Sequence, residues 1–250
     1  MIISVINHTK GKVIDEQLHV AIRAINRQIS YDFEPYWSMS AKLRLEGRSE
    51  TKPTRHTLAD MRGDAVLYIW DEVDVDDALG YHDRNDRGIP YGFVFVELSE
   101  KLEEDWSVTL SHEALELIGD PETNLLVVGP NPEDRRRNVF HWFEMCDAVQ
   151  DESYEVDGVK VSNFVLPLFF TSSDERGGRN DFLGRSYDGE TLKSFSVNPG
   201  GYLGFYDPAA KAKKKNKAFC TPGDKRAEER MAIKRKAKGA RRSMRYSRLV

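Results

Sequence analysis

The chain has 250 residues, 40% of them hydrophobic and 10% aromatic, enough for a true core and for one medium domain with appendages. The net charge of −4 conceals a division: residues 209–250 hold 16 Lys and Arg against Asp224, Glu228 and Glu229, a balance of +13, which leaves −17 for the rest. No run approaches the ~18 apolar residues of a membrane span, and the opening MIISVINHTKGKVIDEQ lacks the layout of a signal peptide, so the expectation is a cytoplasmic protein with Cys146 and Cys220 reduced.

Taken in order, IISVINHT reads as a buried strand, and VIDEQLHVAIRAINRQISYDF as a helix with Val13, Leu18, Ala21, Ile22, Ile25 and Ile29 at three- and four-residue steps. Ala41 to Leu45 reads as a short strand and the polar run EGRSETKPTRHTLADMRGD as a loop. AVLYIW, Ala65 to Trp70, and YGFVFVEL, Tyr91 to Leu98, are strands rich in aromatic and β-branched residues. Between them the acids of Asp71 to Asp77 invite a calcium reading, but the loop glycine and closing Glu of an EF-hand are not in place.

A helix is then predicted from Asp105 to Ile118. Glu103, Glu104 and Asp105 sit at its positive N-terminal end, Gly119 just past the last turn, and Pro121 stops it. Beyond it, VFHWFEMCDAV, YEVDGVKVSNFVLPLFF and SSDERGGRNDFLGRSYDGE read as short strands and irregular loops, with folding expected to end near Tyr206 to Pro208. Strands with one crossover helix, followed by a long helix that must pack on the sheet, predict an α+β or α/β layered domain over residues 1–208. AAKAKKKNKA and KRKAKGARRSMRYSRLV, with almost no large apolar residues, make residues 209–250 a disordered basic tail in this reading, suited to a nucleic acid or an acidic partner.

The helix carries one stripe that is not apolar. Trp106, Leu110, Ala114, Leu117 and Ile118 share a wide apolar arc, whereas Thr109, His112, Glu113 and Glu116 fall on the remaining flank. His112 and Glu116, four apart, lie one above the other and can close on a single ion. Glu113 stands beside them, where the His-Glu-x-x-His motif places its general base. Here the second ligand is a carboxylate, which Zn2+ accepts; one His with carboxylates also suits Mn2+, Mg2+ or iron. Glu is common in helices, so His-Glu-x-x-Glu alone fits a solvated polar stripe as well. Candidates for a third ligand are Glu144, favoured because it arrives from a separate segment, Asp120 and Glu122 just after the helix, and His82 in GYHD, for which a pair with Asp83 is the plain alternative. Asp147 is a candidate to orient His112. His141 is expected on a half-exposed strand, and Tyr202 as a core or rim tyrosine or an oxyanion donor.

ALGYHD, YGFVFVEL, WSVTLSHEALELIGDP, FEMCDAV, YEVDGVKVSNFVLPLFF and YDGETLKSFSVNPGGYLGFYD follow one another over roughly residues 2–207. In that order they resemble a group of bacterial and bacteriophage zinc-metallopeptidase-like proteins. The resemblance implies a zincin-like layout, with a sheet edge beside the active-site helix, and a virion-associated location if the chain is of phage origin. The basic tail lies outside it. The expectation is therefore a metal-dependent peptidase with His112, Glu116 and Glu144 as ligands and Glu113 as base, acting on an extended peptide paired near Phe93 to Glu97. The alternative is a non-enzymatic structural or adaptor protein that binds through its tail.

Overall fold

The hydrophobic runs become strands and the periodic ones helices. The computed structural model describes residues 1–48, 63–71, 80–84, 88–171, 178–211 and 215–232. In chain order these form β1 (Ile2–Asn7), α1 (Asp15–Gln28), a π turn (Ile29–Phe33), α2 (Glu34–Trp37), β2 (Lys42–Arg48), β3 (Ala65–Trp70), β4 (Gly80–Arg84), β5 (Pro90–Phe95), α3 (Val96–Lys101) and α4 (Trp106–Gly119). They continue as β6 (Leu126–Asn131), β7 (Asp134–Trp142), β8 (Ser153–Val156), β9 (Val159–Ser162), β10 (Ser186–Tyr187), β11 (Glu190–Thr191), β12 (Leu203–Tyr206), β13 (Asn216–Phe219) and α5 (225–232). The fold is α+β, and no helix among the described residues is long and apolar enough to cross a membrane.

The chain divides into two units, the first comprising Met1–Thr123 with Ser153–Ser162 and the second Asn124–Glu152 with Asn163–Val250. Among the described residues, the first unit is built on a five-stranded sheet of order β2-β1-β3-β5-β4. β1, β2, β3 and β5 run parallel, and β4 closes one edge antiparallel to β5. β3 is buried at every residue, as a strand covered on both faces must be, and it takes the central position. α1 packs on β2 and the β8–β9 hairpin, and α4 on β4, β5 and β9. That hairpin turns through Asp157 (φ 51°) and Gly158 (φ 77°), the two left-handed residues of a type I′ turn.

Two expectations for this region change. The strand read as Tyr91–Leu98 ends at Phe95, and Val96–Lys101 is helical. Val96, Leu98 and Ser99 are buried there, and the Glu97 N–H reaches the carbonyl of Asp71 at 3.1 Å instead of a neighbouring strand. β5 is not an edge, because β4 pairs along its other side, so a peptide cannot add at Phe93–Glu97. The loop read around residues 49–62 and the acids 72–79 lie outside the described residues.

The second unit contains an antiparallel four-stranded sheet of order β13-β12-β7-β6. Described elements continue here past Pro208, where folding was expected to end. β13 pairs with β12, and Ala227 and Met231 of α5 cluster with Cys220 against fully buried Tyr202. The sequence reading weighed the basic segment by its average composition. A few apolar residues are enough when they only have to cap a core that exists already. Residues 233–250 lie outside the described residues.

Candidate metal centre

Helix α4 spans Trp106–Gly119, one residue from the predicted bounds, with Asp105 as N-cap residue and Asp120 as C-cap. Its polar flank is not solvated. His112 and Glu113 are each 3% exposed and Glu116 2%. Burying a carboxylate without compensation is expensive enough that the group must be paired, neutralised or bound to a cation. Glu116 lies between two imidazoles of the same unit, its Oε1 3.2 Å from His112 Nε2 and its Oε2 3.6 Å from His82 Nδ1. Glu113 Oε2 stands 3.3 Å from the same His82 nitrogen.

His82 comes to this place through the sheet. It sits on β4 opposite Gly92 of β5, and α4 packs across both strands. Asp83 Oδ1 accepts the Thr123 hydroxyl at 3.2 Å and the Arg84 N–H at 2.8 Å, while His82 faces the helix. This alternation follows from the two-residue period of a strand, which sends neighbours to opposite faces.

The helix is held from behind by a buried polar network. Ser111 donates its hydroxyl to Gln28 Oε1 at 2.6 Å and accepts the Ser162 N–H at 3.1 Å. Gln28 Nε2 donates to the Ser162 carbonyl at 2.8 Å and to the Tyr154 hydroxyl at 3.1 Å, and Tyr154 donates to Asp32 at 2.8 Å. These bonds join α1, α4 and the β8–β9 hairpin one residue before His112, which sets the rotation of α4. A further contact, Ser99 Oγ to Thr109 Oγ1 at 3.4 Å, links α3 to α4. Ser111 and Gln28 were not candidates in the sequence, because nothing local marks a serine as the partner of a glutamine 83 residues away.

Glu122 is exposed and pairs with Arg84, and Asp120 is buried as the C-cap residue, its carbonyl accepting the Thr123 N–H at 3.0 Å. Glu144 belongs to the second unit, half-buried just after β7. In that unit Asp147 accepts the Tyr202 hydroxyl, so Tyr202 is a core residue and not an oxyanion donor. His141 is 1% exposed rather than half-exposed, and its Nε2 lies 2.9 Å from the Pro130 carbonyl. Cys146 and Cys220 are both buried thiols.

Chemically, the first unit gathers two imidazoles and two carboxylates in a buried place, and each imidazole is placed to share an ion with Glu116. His112 and Glu116 are among the buried side chains able to share one. The separations bear on this. A charge-assisted hydrogen bond between imidazolium and carboxylate is about 2.7–2.9 Å long. Atoms bound to one tetrahedral ion at about 2.0–2.2 Å stand about 3.3–3.6 Å from each other. The His112–Glu116 contact of 3.2 Å sits at the long end of an ordinary N–H···O bond, and the two His82 contacts of 3.3 and 3.6 Å are longer than one. No family model, curated protein or solved structure matches this chain.

Proposed function

We propose that the protein is a metal-dependent hydrolase of the peptidase class, with Zn2+ as the leading ion. The observation that carries the reading is the buried Glu116 carboxylate, 2% exposed, facing the His112 imidazole one helical turn away at 3.2 Å, a charge that needs a partner or a cation. The zincin-like resemblance of the motifs supports it, with α4 as the active-site helix. Bound there, the ion would supply a more acidic water and polarise a scissile carbonyl.

In this reading His112 and Glu116 hold the ion. Glu113 takes the water's proton and returns it to the leaving amine, so that one peptide bond and one water give a carboxylic acid and an amine. His82 Nδ1, 3.3 Å from Glu113 and 3.6 Å from Glu116, faces both carboxylates and is the alternative ligand that the sequence offers. Glu144 remains the ligand expected from the sequence, and substitution tests its part directly.

Metal analysis of protein purified without chelator should give a stoichiometric divalent ion, lost in His112→Ala and in Glu116→Ala. Glu113→Gln should keep the ion and lose about 10²–10⁴ in rate on fluorescently labelled casein. Glu144→Gln should lower metal content if Glu144 is a ligand. Protein without metal sinks the proposal, whereas metal retained with unchanged hydrolysis in Glu113→Gln removes Glu113 from the mechanism.

A further inference from the structure

A turn in the second unit sets an Asn-Pro peptide bond against a buried acid. In Asn198-Pro199-Gly200-Gly201 the Gly201 N–H donates to the Asn198 carbonyl at 2.9 Å and Gly200 has φ 79°, a type II turn with proline second and glycine third. The turn is pinned to an earlier stretch of chain. The Asn198 N–H donates to the Ala148 carbonyl at 3.0 Å and the Tyr202 N–H to the Asp147 carbonyl at 3.0 Å. A Cβ at Gly201 would stand 2.2 Å from the Ala148 oxygen, so the close approach needs glycine there.

Asn198 is 5% exposed, and its Nδ2 donates to Glu152 Oε1 at 2.6 Å. Glu152 is 1% exposed, and its Oε2 accepts Asn163 Nδ2 at 2.9 Å, which also donates to Asp181 at 2.9 Å. Burial raises the Glu152 carboxyl, with Asn198 opposing and Asp181 assisting, so its carboxylate is a stronger base than an exposed one. One residue thus has a base on its side-chain nitrogen and a backbone donor on its carbonyl oxygen. Pro199, next to it, is exposed.

The proline narrows what this asparagine can do. In ordinary asparagine deamidation the backbone nitrogen of the next residue attacks the side-chain amide, and proline, which has no N–H, closes that route. The reverse closure stays open: Nδ2 attacks the carbonyl carbon of its own residue and forms a succinimide ring. We propose that the chain cleaves itself between Asn198 and Pro199. Glu152 takes a proton from Nδ2 as this nitrogen attacks, and the Gly201 N–H stabilises the charge that develops on the Asn198 carbonyl oxygen. The C–N bond to Pro199 then breaks, and Glu152 returns the proton to the proline nitrogen. The products are residues 1–198 ending in a succinimide and residues 199–250 beginning with a free proline amine, and no water or other reactant is consumed. The inference is independent of the metal centre.

The test is the denatured mass of the freshly purified full chain, followed during incubation at neutral pH with EDTA present to silence metal-dependent cleavage. Two fragments should accumulate, and at early times their masses should sum to that of the intact chain, whereas a protease would add one water. Asn198→Ala should give no fragments, and Glu152→Gln should slow their appearance by about 10²–10⁴. Cleavage should also stop in guanidinium chloride, which parts Glu152 and Gly201 from the bond, so the result does not depend on a variant folding. A wild-type chain still intact after prolonged incubation overturns the proposal. So does cleavage at the same rate in guanidinium chloride or in Glu152→Gln, and so do fragments that carry the added water from the first time point.

Discussion

His141 shows how one residue's setting becomes a property of the fold. Burial holds its pKa down at about 4, with the bond to the Pro130 carbonyl opposing and Arg135 assisting. The unfolded chain, with an ordinary His pKa near 6.5, then takes up a proton that the folded chain refuses. The sign follows: stability from this residue is full above about pH 6.5 and is lost progressively as pH falls toward 4, by about 3 kcal/mol in all. Burial raises the carboxyl of Glu152 in the same unit, which acts in the opposite sense, favouring the fold at low pH. The His141 share is therefore read from a difference. Denaturant midpoints of wild type and His141→Leu, followed from pH 7.5 to 4.5, should converge as the pH falls. Parallel curves would mean that His141 takes no part. The sequence reading missed this burial, because the strand alternation of Phe140, His141 and Trp142 says which residues share a face without saying which face is covered.

At the scale of elements, α4 is aimed by groups outside it. Replacing Gln28 by Leu leaves the Ser111 hydroxyl and the Ser162 carbonyl without the amide they now bond, and should cost about 1–3 kcal/mol. Because the network also sets the rotation of α4, Gln28→Leu should release bound metal at lower chelator concentration than wild type does. A stability loss with chelator sensitivity unchanged would show that the network supports the fold alone. α5 offers a second case. Arg230 is 3% exposed, donates to the Gly200 carbonyl at 3.2 Å and pairs with Asp151 at 2.9 Å. Gly200, at φ 79°, has no room for a side chain against Asp151, so the turn and the helix end fit only each other. Arg230→Ala should lower stability by about 2 kcal/mol, seen as a lower thermal midpoint, because Asp151 and the carbonyl lose a buried donor. No change would return α5 to the status of a tail.

For the molecule as a whole, binding to the folded state alone must appear in its stability. An ion present at about 1,000 times its dissociation constant adds about 4 kcal/mol. EDTA should therefore lower the thermal midpoint of wild type and leave that of His112→Ala unmoved, and a wild-type midpoint indifferent to EDTA would mean that the buried cluster is held by its own contacts. The first unit, Met1–Thr123 with Ser153–Ser162, is discontinuous in the chain. The β8–β9 hairpin joins the first unit after the chain has entered the second, a non-local pairing that no window of sequence contains.

What the sequence determined by itself is whatever depends on local pattern. The bounds of α4 follow from its apolar arc, from Gly119 and from Pro121, the strand Ala65–Trp70 from an unbroken apolar run, and the nearness of His112 and Glu116 from the pitch of a helix. Tertiary structure decided everything that needs two distant segments to meet. It turned the flank of α4 from a surface stripe into a buried one, brought His82 from an edge strand to Glu113 and Glu116, made β5 an interior strand, and folded α5 over Tyr202. The physical reason is common to all four. Periodicity fixes the direction in which a side chain leaves its own element, but burial, pairing and charge compensation depend on what another element places opposite.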